Sequence, residues 1–125
     1  MTENEISFLI RGAIFKVYKT LGPGLLESVY CAALALELSK LNLRGKTEVA
    51  MPVWYDGVLL ELGFRLDILV EDKVIIEVKS VEQMQAVHHK KVITYLKLSK
   101  LKLAILVNFN CDRIEDNIFR KVNGL

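Results

Sequence analysis

Little in this 125-residue sequence interrupts regular structure: two prolines and seven glycines leave most of the chain free for helices and strands. Cysteine is equally scarce. Cys31 and Cys111 stand alone without CxxC spacing, which argues against a disulfide framework or a zinc site and fits buried thiols in a reducing compartment. An excess of one charge is missing too, since a formal net charge of +2 is too small to argue for nucleic-acid binding. No apolar segment reaches membrane-spanning length. The opening MTENEISFLIRG is acidic and has no basic leader before an unbroken apolar run, so no secretory signal is expected and the cytoplasm is the expected location.

What is present is a globular composition, 52% hydrophobic and 26% charged, of a length suited to one domain over residues 1–125. The charge is unevenly spread. Residues 1–78 carry eight Lys/Arg against eleven Asp/Glu, and residues 79–125 carry nine against four. Lys79, Lys90, Lys91, Lys97, Lys100 and Lys102 share one stretch opposed only by Glu82. An ordinary solvated helix face and a phosphate-facing surface both fit that stretch.

Thr2-x-x-Glu5 has the form of a capping box, and the apolar residues behind it recur at helical spacing, predicting an amphipathic helix over residues 4–20. Gly22-Pro23-Gly24 ends it. A second helix, running to about Leu41, is apolar or small on nearly every side, which predicts that it is sandwiched. From Thr47 the pattern is that of strands. TEVAMPVWY meets a hairpin signal at Asp56-Gly57, and a long return strand over Val58–Val70 follows, with Gly63 marking a bulge or bend. Glu71-Asp72-Lys73 turns the chain into a third strand, Val74–Lys79. Residues 83–98 read as a helix with Val87, Ile93 and Leu96 at least partly inward, and LAILVNF (103–109) as a strand covered on both faces. The tail, with Ile114, Ile118, Phe119 and Val122, fits helix or strand equally. The order predicts an α/β fold: an antiparallel meander joined by a crossover helix to a parallel strand, with helices on both faces of the mixed sheet.

Strand alternation puts Glu77 and Lys79 on one face and Val74, Ile76 and Val78 on the other. It likewise groups Phe64, Leu66, Ile68 and Val70 against Arg65, Asp67 and Leu69. A three-residue loop at Glu71–Lys73 would pair Val70 with Val74, and counting back brings Asp67 opposite Glu77. Directly opposed like charges, with Cβ atoms about 4.5–5.5 Å apart, destabilise a sheet. A divalent cation resolves that conflict, since two carboxylates and several waters suit Mg²⁺ or Mn²⁺; without it one carboxylate should have a raised pKa. Lys79 supplies the opposite charge beside the pair, to neutralise it or to orient a water and stabilise charge on a phosphate. The bland alternative is a solvent-facing hairpin with ordinary alternating charges.

Glu27, early in the second helix, reads first as an acid complementing the helix dipole, with a third metal carboxylate as the alternative. His88 and His89 are helical neighbours pointing about 100° apart, so a solvated or capping role suits them better than a shared metal. Trp54 and Tyr55 fit strand packing better than base stacking. Ser28 and Thr94 have no evident base partner.

The run Gly24-Leu25-Leu26-Glu27-Ser28-Val29-Tyr30 resembles the signature of the GxxExxY family, placed in the PD-(D/E)XK nuclease superfamily. The resemblance continues through PVWYDG (52–57), FRLDILV (64–70), VIIEVKS (74–80), TYL (94–96) and LVNF (106–109), from about residue 10 onward. It implies a restriction-endonuclease-like core in which Asp67, Glu77 and Lys79 form the Asp…Glu-x-Lys signature. It also gives Glu27 the role of the helical acid added to the metal site, and makes Tyr95 the tyrosine of a Gln-x-x-x-Tyr helix motif. Leu66 replaces the nominal proline before the aspartate, a position that contributes no ligand. Lys91 stands in place of the motif's glutamine, where a lysine would bind a substrate phosphate or weaken metal affinity.

The combined expectation is a Mg²⁺- or Mn²⁺-dependent nuclease acting on phosphodiester bonds, with DNA as the foremost substrate. Asp67, Glu77, Glu27 and the Val78 carbonyl would hold the metal. Lys79 would serve the attacking water, and Arg65, Lys91 and Tyr95 the substrate. The rival expectation is a non-catalytic nucleic-acid-binding or interaction module on the same fold. No membrane partner is expected, and a domain this small leaves sequence recognition to a homodimer or another partner.

Overall fold

The computed structural model describes residues 1–125, apart from the side chain of Leu62. Helix α1 (Glu3–Leu21) starts from the expected capping box: Glu5 N–H donates to Thr2 Oγ1 at 3.2 Å and Thr2 N–H to Glu5 Oε1 at 3.1 Å. It buries Ile6, Ile10, Ala13, Ile14 and Val17 along one stripe and closes at Gly22, whose φ of 71° suits glycine. Helix α2 (Glu27–Lys40) buries only Tyr30, Leu34 and Leu38. Leu26, Val29 and Leu36 are exposed, so this helix is not sandwiched. Its inner face meets α1 and the sheet, and its apolar outer face is uncovered.

The sheet has five strands in the order β1-β2-β3-β4-β5: Gly45–Tyr55, Val58–Val70, Val74–Lys79, Leu103–Asn108 and Ile118–Val122. Strands β1, β2 and β3 form the antiparallel meander, β3 and β4 are parallel, and β5 returns antiparallel to β4. The tail thus resolves as a short 3₁₀ turn at Ile114–Asp116 followed by an edge strand. Asp56 and Gly57, both with positive φ, form the β1–β2 turn as expected of Asp-Gly in a tight hairpin. A break in register between Met51 and Val53 lies across from Gly63, where a Cβ would collide with the Met51 carbonyl oxygen.

One face of the sheet packs on α1 and α2 through Ile68, Val70, Ile76, Val78, Ile105 and Val107. The other packs on α3 (Ala86–Ser99) through Leu66, Leu69, Ile75 and Leu106, which meet Val92, Tyr95 and Leu96. Val87 and Ile93 are exposed, contrary to the at least partly inward positions expected of them. The helix is rotated so that Val92 and Tyr95 join Leu96, which leaves Val87 and Ile93 among its solvated lysines. Every residue of β4 is buried, as its unbroken apolar run requires.

Candidate functional site

The expected grouping of side chains along β2 fails at one residue, and that residue is Asp67. Phe64 and Leu66 lie in the α3-side core with Leu69, whereas Ile68 and Val70 lie in the α1–α2 core. The alternation therefore slips between Leu66 and Ile68. The facing strand slips with it: β1 pairs Thr47 with Ile68 and Val49 with Leu66 while skipping Glu48, whose φ is 52°. Thr47, Glu48 and Asp67 consequently line one cavity of about 290 Å³ with Glu27, Ser28 and Cys31 of α2.

The β2–β3 ladder runs Val70↔Val74, Leu69↔Ile75 and Ile68↔Ile76, and stops there. One step further, side chains replace the ladder. Asp67 N–H donates to Glu77 Oε1 at 3.1 Å, and Val78 N–H donates to Asp67 Oδ2 at 2.8 Å. Each carboxylate thus bonds the other strand's backbone where the two strands part. Glu77 is 5% exposed, which rules out the solvent-facing hairpin.

Burial, and after it the charge of Asp67, raises the Glu77 pKa from 4.5 to about 7. Burial raises Asp67 too, against the opposing pull of the Val78 N–H and the Lys79 charge, with a further hydrogen bond from the Glu77 carboxyl. The pair therefore takes up a proton more readily than two free carboxylates would. Two hard oxygen donors that cannot both ionise cheaply fit a divalent cation of the Mg²⁺ or Mn²⁺ type, whose charge would offset theirs. Among the described residues, no three His, Cys, Asp or Glu side chains gather as a ready-made ligand cluster.

Glu27 is the first residue of α2, and its carboxylate Oε2 accepts from the Ser80 N–H at 3.1 Å. Its charge raises the pKa of Asp67. The GLLESVY segment is held in place by Tyr30, whose hydroxyl donates to the Gly22 carbonyl at 2.6 Å and accepts from Leu25 N–H at 3.1 Å. The Tyr30 ring stacks on Phe109 at 4.2 Å. Lys79 is half-buried at the end of β3, and its positive charge lowers the pKa of both Asp67 and Glu77.

From α3, Lys91 lies over the Tyr95 ring, 5.6 Å from its centre. Its pKa is raised by Tyr95 first and then by the nearby Glu77 and Asp67 charges. Tyr95 is buried and stacked on Phe64 at 4.3 Å, so it presents little surface of its own. Arg65 is exposed and donates to the Glu48 carbonyl at 3.3 Å. His88 takes the expected capping role, accepting from Gln85 N–H at 3.1 Å. Trp54 and Tyr55 do not pack within the sheet; they are 63% and 73% exposed at the hairpin tip.

The sequence assigns no place at the site to Ser80, Asn108 or Cys31, the last expected only as a buried thiol. Ser80 holds Glu27 through its N–H and donates its hydroxyl to the Leu25 carbonyl at 2.6 Å. Asn108 is buried, accepts from Val81 N–H at 3.0 Å and donates to the Val81 carbonyl at 2.9 Å, which fixes the chain just beyond Lys79. The available signal was a polar residue closing each apolar strand run, in VIIEVKS and in LAILVN. Cys31, the third, faces the cavity. Its thiol is pushed up to about 12 by burial and then by Asp67, Glu77, Glu27 and Glu48, so it stays protonated.

A mixed sheet with a parallel pair at its centre, clasped between α1–α2 and α3, is a restriction-endonuclease-like α/β fold. A family model described as the PD-(D/E)XK nuclease superfamily matches residues 4–121, and the chain belongs to that superfamily. Among solved structures, the crystal structure of SSO0001 is similar, with a TM-score of 0.56 and 23% identity over 79% of this chain and 51% of that one. That likeness is one of fold, and this chain spans about half the length of that protein. No curated protein matches the chain. Among the described residues, no helix is long and apolar enough to cross a membrane.

Proposed function

We propose that the chain is a divalent-metal-dependent nuclease that hydrolyses phosphodiester bonds, foremost in DNA. One observation carries this reading: the buried Glu77 carboxylate and the half-buried Asp67 carboxylate, on adjacent strands, meet at a break in their ladder, each bonded to the other strand's backbone. A bound Mg²⁺ or Mn²⁺ would supply positive charge that polarises a phosphoryl oxygen and lowers the pKa of a water. Asp67 and Glu77 would hold it, assisted by Glu27 and the Val78 carbonyl. The backbone bonds at these carboxylates restrict their rotation, so the donor oxygens are set before substrate arrives.

Lys79 orients the attacking water and offsets negative charge developing at the phosphate. Lys91 and Arg65 contact neighbouring phosphates. Tyr95 supports Lys91 from beneath, its ring lying under the ammonium. Glu27, anchored by Ser80 N–H, lines the same cavity as Asp67. The rival reading, a non-catalytic nucleic-acid-binding module of the same fold, draws on Lys91, whose charge acts on Glu77 and Asp67 and would compete with a bound cation.

Incubating the purified protein with single- and double-stranded DNA and RNA, in Mg²⁺, Mn²⁺ or EDTA, tests both readings beside a Glu77→Ala control. Metal-dependent cleavage lost in the control is expected. Cleavage that survives the substitution would sink the site assignment, and binding without cleavage under every condition would favour the rival.

A further inference from the structure

Two apolar surfaces of this chain have no cover, and the charges beside them are of opposite sign. The first is convex. Strand β3 pairs with β2 only over Ile68–Val70, so β1 and β2 run on past it as a two-stranded ribbon. Its tip exposes Trp54, Tyr55, Val58, Leu59 and Leu60. The cross-strand pairs Trp54↔Leu59 and Tyr55↔Val58 are adjacent, so apolar side chains stand on both faces of the ribbon. A lone two-stranded ribbon is marginal in water, and one apolar on both faces gains from being covered. Residues 52–63 carry Asp56 and Glu61 and no Lys or Arg, which sets the tip against phosphate backbones and anionic lipid.

The second surface is concave. A cavity of about 440 Å³ lies between α1 and α2, lined by Phe8, Phe15 and Leu41 and by Arg11, Lys16 and Lys40. Its one acid, Glu37, is held by Lys16 at 3.0 Å and Lys40 at 3.1 Å, leaving three cations to one anion. Phe8 is 77% exposed at this groove. Gly12 also lines it, and a Cβ added there would meet nothing within 4 Å.

We propose that the Trp54–Tyr55 tip of one chain seats in the α1–α2 groove of a second copy. An aromatic anchor entering an apolar pocket buries both unmatched surfaces in one contact. The acids beside the tip then face the cations of the groove. The contact is heterologous, joining different patches on the two copies. It lies away from Asp67 and Glu77 and stands independently of the nuclease reading.

Sedimentation velocity over a concentration series tests this, together with emission from Trp54, the chain's one tryptophan. The expected result is association beyond a single chain, with Trp54 emission moving to shorter wavelength as it proceeds. Trp54→Glu removes the knob. Gly12→Leu fills the groove at an open helical position where leucine also favours the helix. Each change alone should weaken association by roughly tenfold or more. Mixing the two variants should restore a mixed pair, because each still supplies the half the other lacks. Mass of a single chain at all concentrations would overturn the proposal, as would association that ignores both substitutions or a mixture that forms no pair. So would a tip whose loss abolishes binding to anionic vesicles or duplex DNA while the protein stays a single chain.

Discussion

At the scale of residues, the unusual feature is a buried and a half-buried carboxylate, each tied to the other strand's backbone. Glu77→Gln keeps the hydrogen bond to Asp67 N–H through its amide oxygen but removes a charge, and should lower metal-dependent cleavage by about 100-fold or more in a gel-based assay. The same pair makes stability depend on pH once divalent ions are chelated. Glu77 titrates at about 7 in the folded chain against 4.5 ordinarily, so between those values the folded state holds the extra proton. Its contribution is full below 4.5 and is lost as pH rises through about 7. In EDTA the melting temperature should therefore fall as pH rises from about 5.5 to about 8, with a loss of stability of no more than about 2 kcal/mol. Glu77→Gln should flatten that dependence in circular-dichroism melts. Added Mn²⁺ should raise the melting temperature at the alkaline end of the wild-type series by binding the folded state alone; a wild-type curve that ignores Mn²⁺ would count against Asp67 and Glu77 as ligands.

At the scale of elements, the start of α2 and the bend in β2 are the joints that aim these residues. Tyr30→Phe keeps the stack on Phe109 but loses the hydroxyl that ties Gly22 to Leu25, and should cost about 1–2 kcal/mol in urea unfolding. Cleavage should fall further than that loss of stability explains, because Glu27 opens the helix this bridge steadies. Gly63→Ala places a methyl against the Met51 carbonyl and should cost about 2 kcal/mol, or move the register of the β1–β2 ribbon. Hydrogen exchange at β1 amides would distinguish those outcomes.

At the scale of the molecule, charge and topology divide the labour: the acids gather on β2, β3 and the start of α2, and the lysines on α3 approach them from the opposite core. If DNA binds along that side, Lys91→Ala should weaken it and reduce the slope of log affinity against log salt by about 1, read by fluorescence anisotropy. Much of this architecture was legible from the chain alone. Capping at Thr2, the Asp56-Gly57 turn, the loop at Glu71–Lys73 and the buried run of β4 are local or periodic signals, and counting back from Val70↔Val74 brought Asp67 to Glu77. The resemblance carried the superfamily. Periodicity could not foresee that β1 and β2 both slip at Glu48 and Asp67, because a slip shared by two strands leaves their register sum unchanged. Nor could composition tell which apolar residues would be left outside. Trp54, Val87 and Leu36 have the chemistry of core residues, and only the finite area of the packed layers decided that they face water. The sequence thus determined the elements, their order and the carboxylate pair, because those follow from neighbours along the chain. Tertiary structure decided the bend that turns Asp67 toward Glu27, the clamp of Ser80 and Asn108 behind Lys79, and the surfaces left bare, because each depends on what packs across from it.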